Sequence, residues 1–200
     1  MTVVSIREVT KSRCVITLDN EESFVLYKGE LSKLELAEGK ELSDSSYDRI
    51  MHEILPKRAK LRGLNLLKSR PYTEAQLRTK YEQGGYPASV IDSAIDYIKQ
   101  LHCIDDYEYC RTYFTYHSAS KSRRRMILDL VQKGVDKETV HRALDDVIGA
   151  GDMSDEEDLI RKLLAKKHYD SDKASYEERQ KMKAFLYNKG FSVDIIGRYV

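Results

Sequence analysis

The sequence lacks a long hydrophobic run, an excess of charge of either sign, and enough paired cysteines to build a scaffold. No apolar stretch approaches the ~20 residues of a membrane span, and the N-terminus lacks the basic-then-apolar layout of a signal peptide, so a cytoplasmic protein with no membrane partner is expected. With 34 basic and 33 acidic residues in 200, the formal net charge is +1. That balance excludes a surface built throughout to wrap nucleic acid and leaves room only for local basic patches. The three cysteines, Cys14, Cys103 and Cys110, are odd in number and form no C-x-x-C pair, and His52, His102, His117, His141 and His168 do not join them at ligand spacings. Structural thiols are therefore expected, with no metal. There is no phosphate loop, no dinucleotide-binding glycine pattern, no H-E-x-x-H and no nucleophile elbow, so neither an enzyme nor a bound cofactor is expected.

What is present is a repeat. From Ser122 to Val147, Met126, Ile127, Leu130 and Val131 make one helical stripe, Gly134 follows where a left-handed cap is wanted, and Asp136 opens a second helix whose stripe is Val140, Ala143, Leu144 and Val147. Shifted back by 49 positions, the pattern falls on Leu77, Tyr81, Gly85, Tyr86, Ile91, Ala94, Ile95 and Ile98. Shifted forward by 56, it falls on Met182, Leu186, Gly190, Phe191, Ile196, Tyr199 and Val200. A period of about 50 residues fits a supersecondary unit that stacks because it cannot bury its apolar face alone. A further helix precedes each later pair, with Tyr109, Cys110, Tyr113 and Phe114 striping one and Leu159, Ile160, Leu163 and Leu164 the other.

The N-terminal segment differs in texture. Cys14, Ile16 and Leu18 alternate with Arg13, Val15 and Thr17, turn chemistry follows at Asp19–Glu22, and Phe24 and Leu26 continue the alternation, predicting a β-hairpin joined by a strand from Val3 to Val9. A looser segment is expected between Gly29 and Gly39, then a helix carrying Tyr47, Ile50, Met51 and Ile54, which Pro56 interrupts, either kinking it or starting a new one at Lys57. Thr73 with Gln76 reads as a capping box. The expected architecture is mainly α: three tandem three-helix, helix-turn-helix-like repeats in an elongated, curved array after a small β element. Residues 1–44 form that element, 45–103 a linker helix and the first repeat, 104–151 the second repeat, and 152–200 the third.

Basic clusters are the remaining chemical signal. One comprises Lys121, Arg123, Arg124 and Arg125, the other Arg161, Lys162, Lys166 and Lys167. With Met126 and Leu130 buried, Arg125 points away from the core, Arg124 lies at its flank and Arg123 begins over it. Arg124, Arg125, Lys166 and Lys167 are the candidates for contact with DNA phosphate or an acidic partner surface, and a solvated helix face is the competing reading. Tyr107, Tyr109, Tyr113 and Tyr116 crowd one helix; core packing is the expectation there, with base stacking as the alternative.

Four stretches carry further information: Leu66–Leu77 with its Arg70-Pro71-Tyr72-Thr73-Glu74 core, Ile104–Tyr109, Lys133-Gly134-Val135, and Phe185–Ser192. Together they resemble the RecX family, regulatory proteins that act on the RecA recombinase, and the last is similar to the family's "FLxxRGFS". The likeness runs from residue 57 to 200, and residues 1–44 resemble a β extension seen in some members. Lys121-Ser122 stands where members commonly carry a glycine, and Lys189 replaces an arginine. The resemblance implies a non-enzymatic modulator that binds the RecA filament along its groove, inhibits its ATPase, strand-exchange and coprotease activities, and binds DNA weakly without sequence preference. It therefore implies a role in DNA repair, recombination and the SOS response. A monomer is expected, since nothing demands a dimer. The alternative is a direct, sequence-nonspecific DNA-binding helical protein, although the helix from Lys137 carries Glu138, Asp145 and Asp146 and has few groove-reading side chains.

Overall fold

Alternation of apolar side chains builds the N-terminal sheet of this computed structural model, which describes residues 1–200. Strands β1 (Val3–Thr10), β2 (Arg13–Leu18) and β3 (Ser23–Tyr27) run antiparallel in that order. Cys14 pairs with Leu26 and Ile16 with Phe24, so the period of two gathers all four, with Leu18, on one buried face. The edge of β1 is closed rather than left as a template for other strands: Val3 N donates to Lys40 O at 3.0 Å, and Ile6 N donates to Glu38 Oε1 at 2.7 Å.

A short helix, α1 (Lys28–Lys33), occupies part of the segment expected to be loose. Its cause is long-range. Glu30 Oε2 accepts from Tyr27 N at 2.7 Å, and the same carboxylate is gripped by Arg58, whose guanidinium lies 4.5 Å from the centre of the Tyr27 ring. Helix α2 (Asp44–Arg49) then runs through a π-helical turn at Ile50–Ile54 into α3 (Leu55–Ser69). Pro56 neither ends the helix nor starts it afresh. Leu55 N donates to Ile50 O, five residues back, and this wider turn tolerates a residue that has no N–H to give and whose ring crowds the turn before it.

Three helix pairs follow. They are α4 (Glu74–Glu82) with α5 (Ala88–Gln100), α7 (Arg123–Gln132) with α8 (Lys137–Gly149), and α10 (Tyr176–Asn188) with α11 (Val193–Tyr199). Helix α3 precedes the first pair, α6 (Asp106–His117) the second and α9 (Glu156–Lys166) the third. Gly85, Gly134 and Gly190 turn the chain at φ +73°, +86° and +92°, a region costly for any residue with a Cβ. At each turn the following residue donates to a carbonyl five back: Tyr86 to Tyr81, Val135 to Leu130, Phe191 to Leu186. Those three acceptor residues, Tyr81, Leu130 and Leu186, are equivalent in the repeat and are all fully buried. The capping box Thr73–Gln76 forms as read, and Ser122, Asp136 and Ser175 cap α7, α8 and α10.

Packing divides the chain into two compact units, Met1–Asp105 and Asp106–Val200. In the first, the sheet shares one core with α3, α4 and α5, from Val3 to Ile104. Helix α3 lies close to its neighbours, because a Cβ on Gly63 would stand 2.1 Å from Tyr81 Oη and 2.3 Å from Ile98 Cδ1. The Tyr81 hydroxyl uses that proximity to donate to Ala59 O at 2.9 Å. The second unit has one cluster around Phe114, Met126 and Leu130 and another around Ile160, Leu186 and Phe191. Cys14 and Cys110 are buried small hydrophobes; Cys103 differs from that expectation in being exposed. No helix is long and apolar enough to cross a membrane.

Candidate nucleic-acid and partner interface

The N-terminus of α7 is where two repeats of the second unit meet. Ser122 is 1% exposed. Its hydroxyl accepts from Arg125 N at 3.3 Å as the helix cap and donates to Lys189 O at 2.7 Å. Arg123 N donates to Glu156 Oε1 at 3.0 Å, so α9 satisfies another orphan donor of the same helix end. The Gly190 turn rests directly on this cap, where an added Cβ would stand 2.6 Å from Ser122 Oγ. Serine fits here because it caps one helix and fixes the turn of another in a single side chain.

This contact brings together cations that are far apart in sequence. Arg124 places its guanidinium 5.6 Å from the centre of the Tyr187 ring. Arg125 Nε lies 3.0 Å from Asp129 Oδ1, and a cleft of about 460 Å³ opens beside it, lined by Lys121, Ser122, Asn188 and Lys189 among others. Lys189 and Lys167 face one aromatic ring, at 5.6 and 5.0 Å from the centre of Phe185. Of the four residues singled out from sequence, Arg125 shares its cleft with Lys189, Arg124 on Tyr187 and Lys167 on Phe185 lie on opposite faces of α10, and Lys166 stands exposed at the end of α9. Exposed cation–aromatic contacts are worth only about 0.5–1 kcal/mol each, so these side chains remain available to an anion.

Asp129 tempers the positive charge. Its Oδ2 accepts from Lys121 Nζ at 2.7 Å and from the Tyr113 hydroxyl at 2.8 Å. Burial pushes the Asp129 carboxyl up, but Lys121, Tyr113 and Arg125 outweigh it and hold the group below its ordinary 3.8. The Lys121 ammonium responds in kind: burial lowers it, and Asp129 and Tyr113 more than restore it. The His117 ring lies 4.2 Å from that of Tyr113, and burial together with Lys121 keeps its proton affinity below the ordinary 6.5.

The tyrosines of α6 are only partly core. Cys110 and Phe114, four apart, take the buried positions; Tyr107, Tyr109 and Tyr113 pack on the rim of the cluster, and Tyr116 is 80% exposed. Helix α8, the counterpart of a recognition helix, shows mixed charge, with Arg142 over the Tyr107 ring and the Tyr107 hydroxyl bound to Asp146.

Two features were missed in the sequence. Lys189 belongs to the cationic face, and its signal was the lysine preceding the turn glycine in two repeats, Lys133 and Lys189. The other is the segment from Ile54 to Thr73, which holds six basic residues and no acid: Lys57, Arg58, Lys60, Arg62, Lys68 and Arg70. Spread among leucines, these charges form no run longer than Lys57-Arg58.

Three glycine-turned helix pairs, each led by a third helix and bearing local cation–aromatic faces, define a tandem helical-repeat protein. The family model "RecX, first three-helix domain" matches residues 59–97, and "RecX, third three-helix domain" matches residues 155–200. A Regulatory protein RecX of Finegoldia magna is 30% identical over 190 residues, covering 92% of this chain and 91% of the relative. That of Caldanaerobacter subterraneus is 29% identical over 192 residues, covering 96% and 93%. A crystal structure of regulatory protein RecX superposes with a TM-score of 0.63 at 23% identity, covering 97% of this chain and 96% of that one; this likeness supports the fold. The RecX of Lactobacillus salivarius gives 0.59 at 22% identity, covering 72% and 94%. The chain belongs to the RecX family, whose members are regulatory proteins.

Proposed function

We propose that the protein regulates the RecA recombinase by binding the RecA–DNA filament and restraining its activities in recombination, DNA repair and the SOS response. In this reading it acts in the cytoplasm as a monomer and catalyses nothing itself. The observation that carries the reading is family membership over nearly the whole chain, with relatives named Regulatory protein RecX matching more than nine-tenths of its length. Functionally the chain divides into the β element of 1–44 and three-helix units of 45–103, 104–151 and 152–200. Arg124, Arg125, Lys166 and Lys167 serve as contacts to DNA phosphate or to acidic partner surface, aided by Lys189. Mixed charge with local basic patches suits a protein–DNA filament better than naked DNA, because both signs of charge help to fix register on a protein surface.

The test is DNA-dependent ATP hydrolysis by the cognate RecA on single-stranded DNA. The protein should suppress it at a sub-stoichiometric ratio to RecA. Reversing Arg124, Arg125, Lys166 and Lys167 to glutamate should weaken binding to all DNA sequences alike and flatten the salt dependence, because phosphate contacts release counterions without reading bases. Undiminished hydrolysis with folded protein would remove RecA from the reading, and an unchanged salt slope in the quadruple variant would return those residues to a solvated face.

A further inference from the structure

Helix α3 has a fixed inward side. Leu55, Ala59 and Gly63, spaced four apart, are buried, and the close approach at Gly63 leaves no freedom to rotate the helix. Two of its arginines serve the fold: Arg58 binds Val25 O at 2.9 Å and the Glu30 carboxylate, and Arg62 donates to Lys80 O at 3.3 Å. The other cations lie away from that buried side. Lys57 and Lys68 are exposed and nearly eclipsed on the wheel, Lys60 flanks them with its ammonium 4.6 Å from the centre of the Tyr97 ring, and Arg70 lies exposed over Tyr72 just past the helix end. Acids at either end are already engaged. Glu53 lies 4.0 Å from Arg49, and Glu74 is held by Arg78 at 2.9 Å and Lys99 at 2.8 Å.

We infer that this outer face of α3, made by Lys57, Lys60, Lys68 and Arg70, is a second phosphate-binding surface of the protein, belonging to the first compact unit and occupied by the sugar–phosphate backbone of a nucleic acid. Lys57 and Lys68 are about 17 Å apart along the helix. A run of that length laid along a duplex passes roughly five phosphates of one strand, enough to engage all four cations. Lysines dominate the face, and they act as point charges that hold the backbone rather than read base edges. An acidic protein is the less fitting occupant. The apolar surface between the lysines is limited to Leu61, 56% exposed, and the half-buried Leu64, whereas a stable protein interface buries about 1,200 Å² or more around an apolar centre. The stretch also lacks the acidic residues that would set register on a protein of mixed charge.

The test needs only the full-length protein and a labelled oligonucleotide of arbitrary sequence, single-stranded in one arm and duplex in the other, so it stands or falls separately from regulation of RecA. The variant is Lys57→Gln, Lys60→Gln, Lys68→Gln and Arg70→Gln together. The control changes net charge equally through the exposed Lys11→Gln, Lys33→Gln, Lys137→Gln and Lys173→Gln, and circular dichroism verifies folding of both. Each lost contact removes about 0.9 from the slope of log affinity against log salt on duplex and about 0.7 on a single strand. The α3 variant should therefore lower the slope by roughly 3 on either substrate, with at least a tenfold loss of affinity at low salt, and the control by less than 1. An unchanged slope in the α3 variant overturns the inference. So does an equal loss in the control, which would show net charge alone at work. Unchanged DNA binding with loss of binding to a protein partner would assign the face to that protein instead.

Discussion

The turn glycines of the two compact units dock on different neighbours. In the first unit, Gly85 meets the sheet: Val25 N of β3 donates to Gly85 O at 3.2 Å, and an added Cβ would stand 2.3 Å from Val25 Cγ2. In the second, Gly190 meets a helix end, resting on the Ser122 cap of α7. The same left-handed turn is thus closed once by a strand and once by a capping serine. The first and third three-helix units close their turns on whichever element the chain supplies, a strand at the N-terminus and a neighbouring repeat further on, whereas Gly134 of the second is exposed. The β element is therefore a cover for the first repeat as much as an appendage to it.

The largest effects should come from the core positions that the two units share. Leu130→Ala and Leu186→Ala each remove a fully buried side chain and should cost about 2–5 kcal/mol. Tyr81→Phe, at the equivalent position of the first unit, should cost only about 1 kcal/mol, since it removes the hydroxyl bonded to Ala59 O and keeps the ring. Unmoved denaturation midpoints for the leucine variants would show that this core register is wrong.

Next come the turns. Gly85→Ala and Gly190→Ala should each destabilise by about 1–3 kcal/mol, through a strained positive φ and a contact that must give way, while Gly29→Ala, with nothing within 4 Å, should be neutral or mildly stabilising. If Gly190→Ala proved harmless while Gly85→Ala did not, only the strand would be a true closure. A smaller separation is expected among the caps. Ser122→Ala should exceed Asp136→Ala, because Ser122 also holds Lys189 O whereas Asp136 caps α8 alone; either loss is of order 0.5–2 kcal/mol.

Acid should probe both units through their bound carboxylates. Burial raises Glu74, but Lys99 and Arg78 outweigh it and leave it below its ordinary 4.5, as Lys121, Tyr113 and Arg125 do for Asp129 against 3.8. A carboxyl held low in the folded state contributes stability above its unfolded value and loses that contribution as pH falls through the folded one. The stability gaps that Glu74→Gln and Asp129→Asn open at pH 7 should therefore narrow at pH 3. Gaps of constant size would mean that these ion pairs contribute nothing.

The repeat was legible because its signals are local: a glycine that must turn the chain and apolar positions that must face inward. Helix α1 was not legible, since nothing in Lys28–Lys33 repeats and its anchor, Arg58, lies 28 residues further on. The passage through Pro56 was ambiguous because a π-helical turn leaves no mark in a 3.6-residue pattern. For the candidate interface, Arg124 and Arg125 were visible as neighbours in a run, whereas Lys189 joins them only through the Gly190 turn. The cations of α3 were hidden among leucines, and the absence of acids over the same stretch was the available sign.

The most direct measurement is to add the protein to RecA filaments already assembled on single-stranded DNA and to compare its affinity for them with its affinity for the DNA alone. The account predicts tighter binding to the filament and a fall in ATP hydrolysis after assembly is complete. Equal or weaker binding to the filament, with an effect only when the protein is added before RecA, would contradict it and leave a competitor for the DNA lattice.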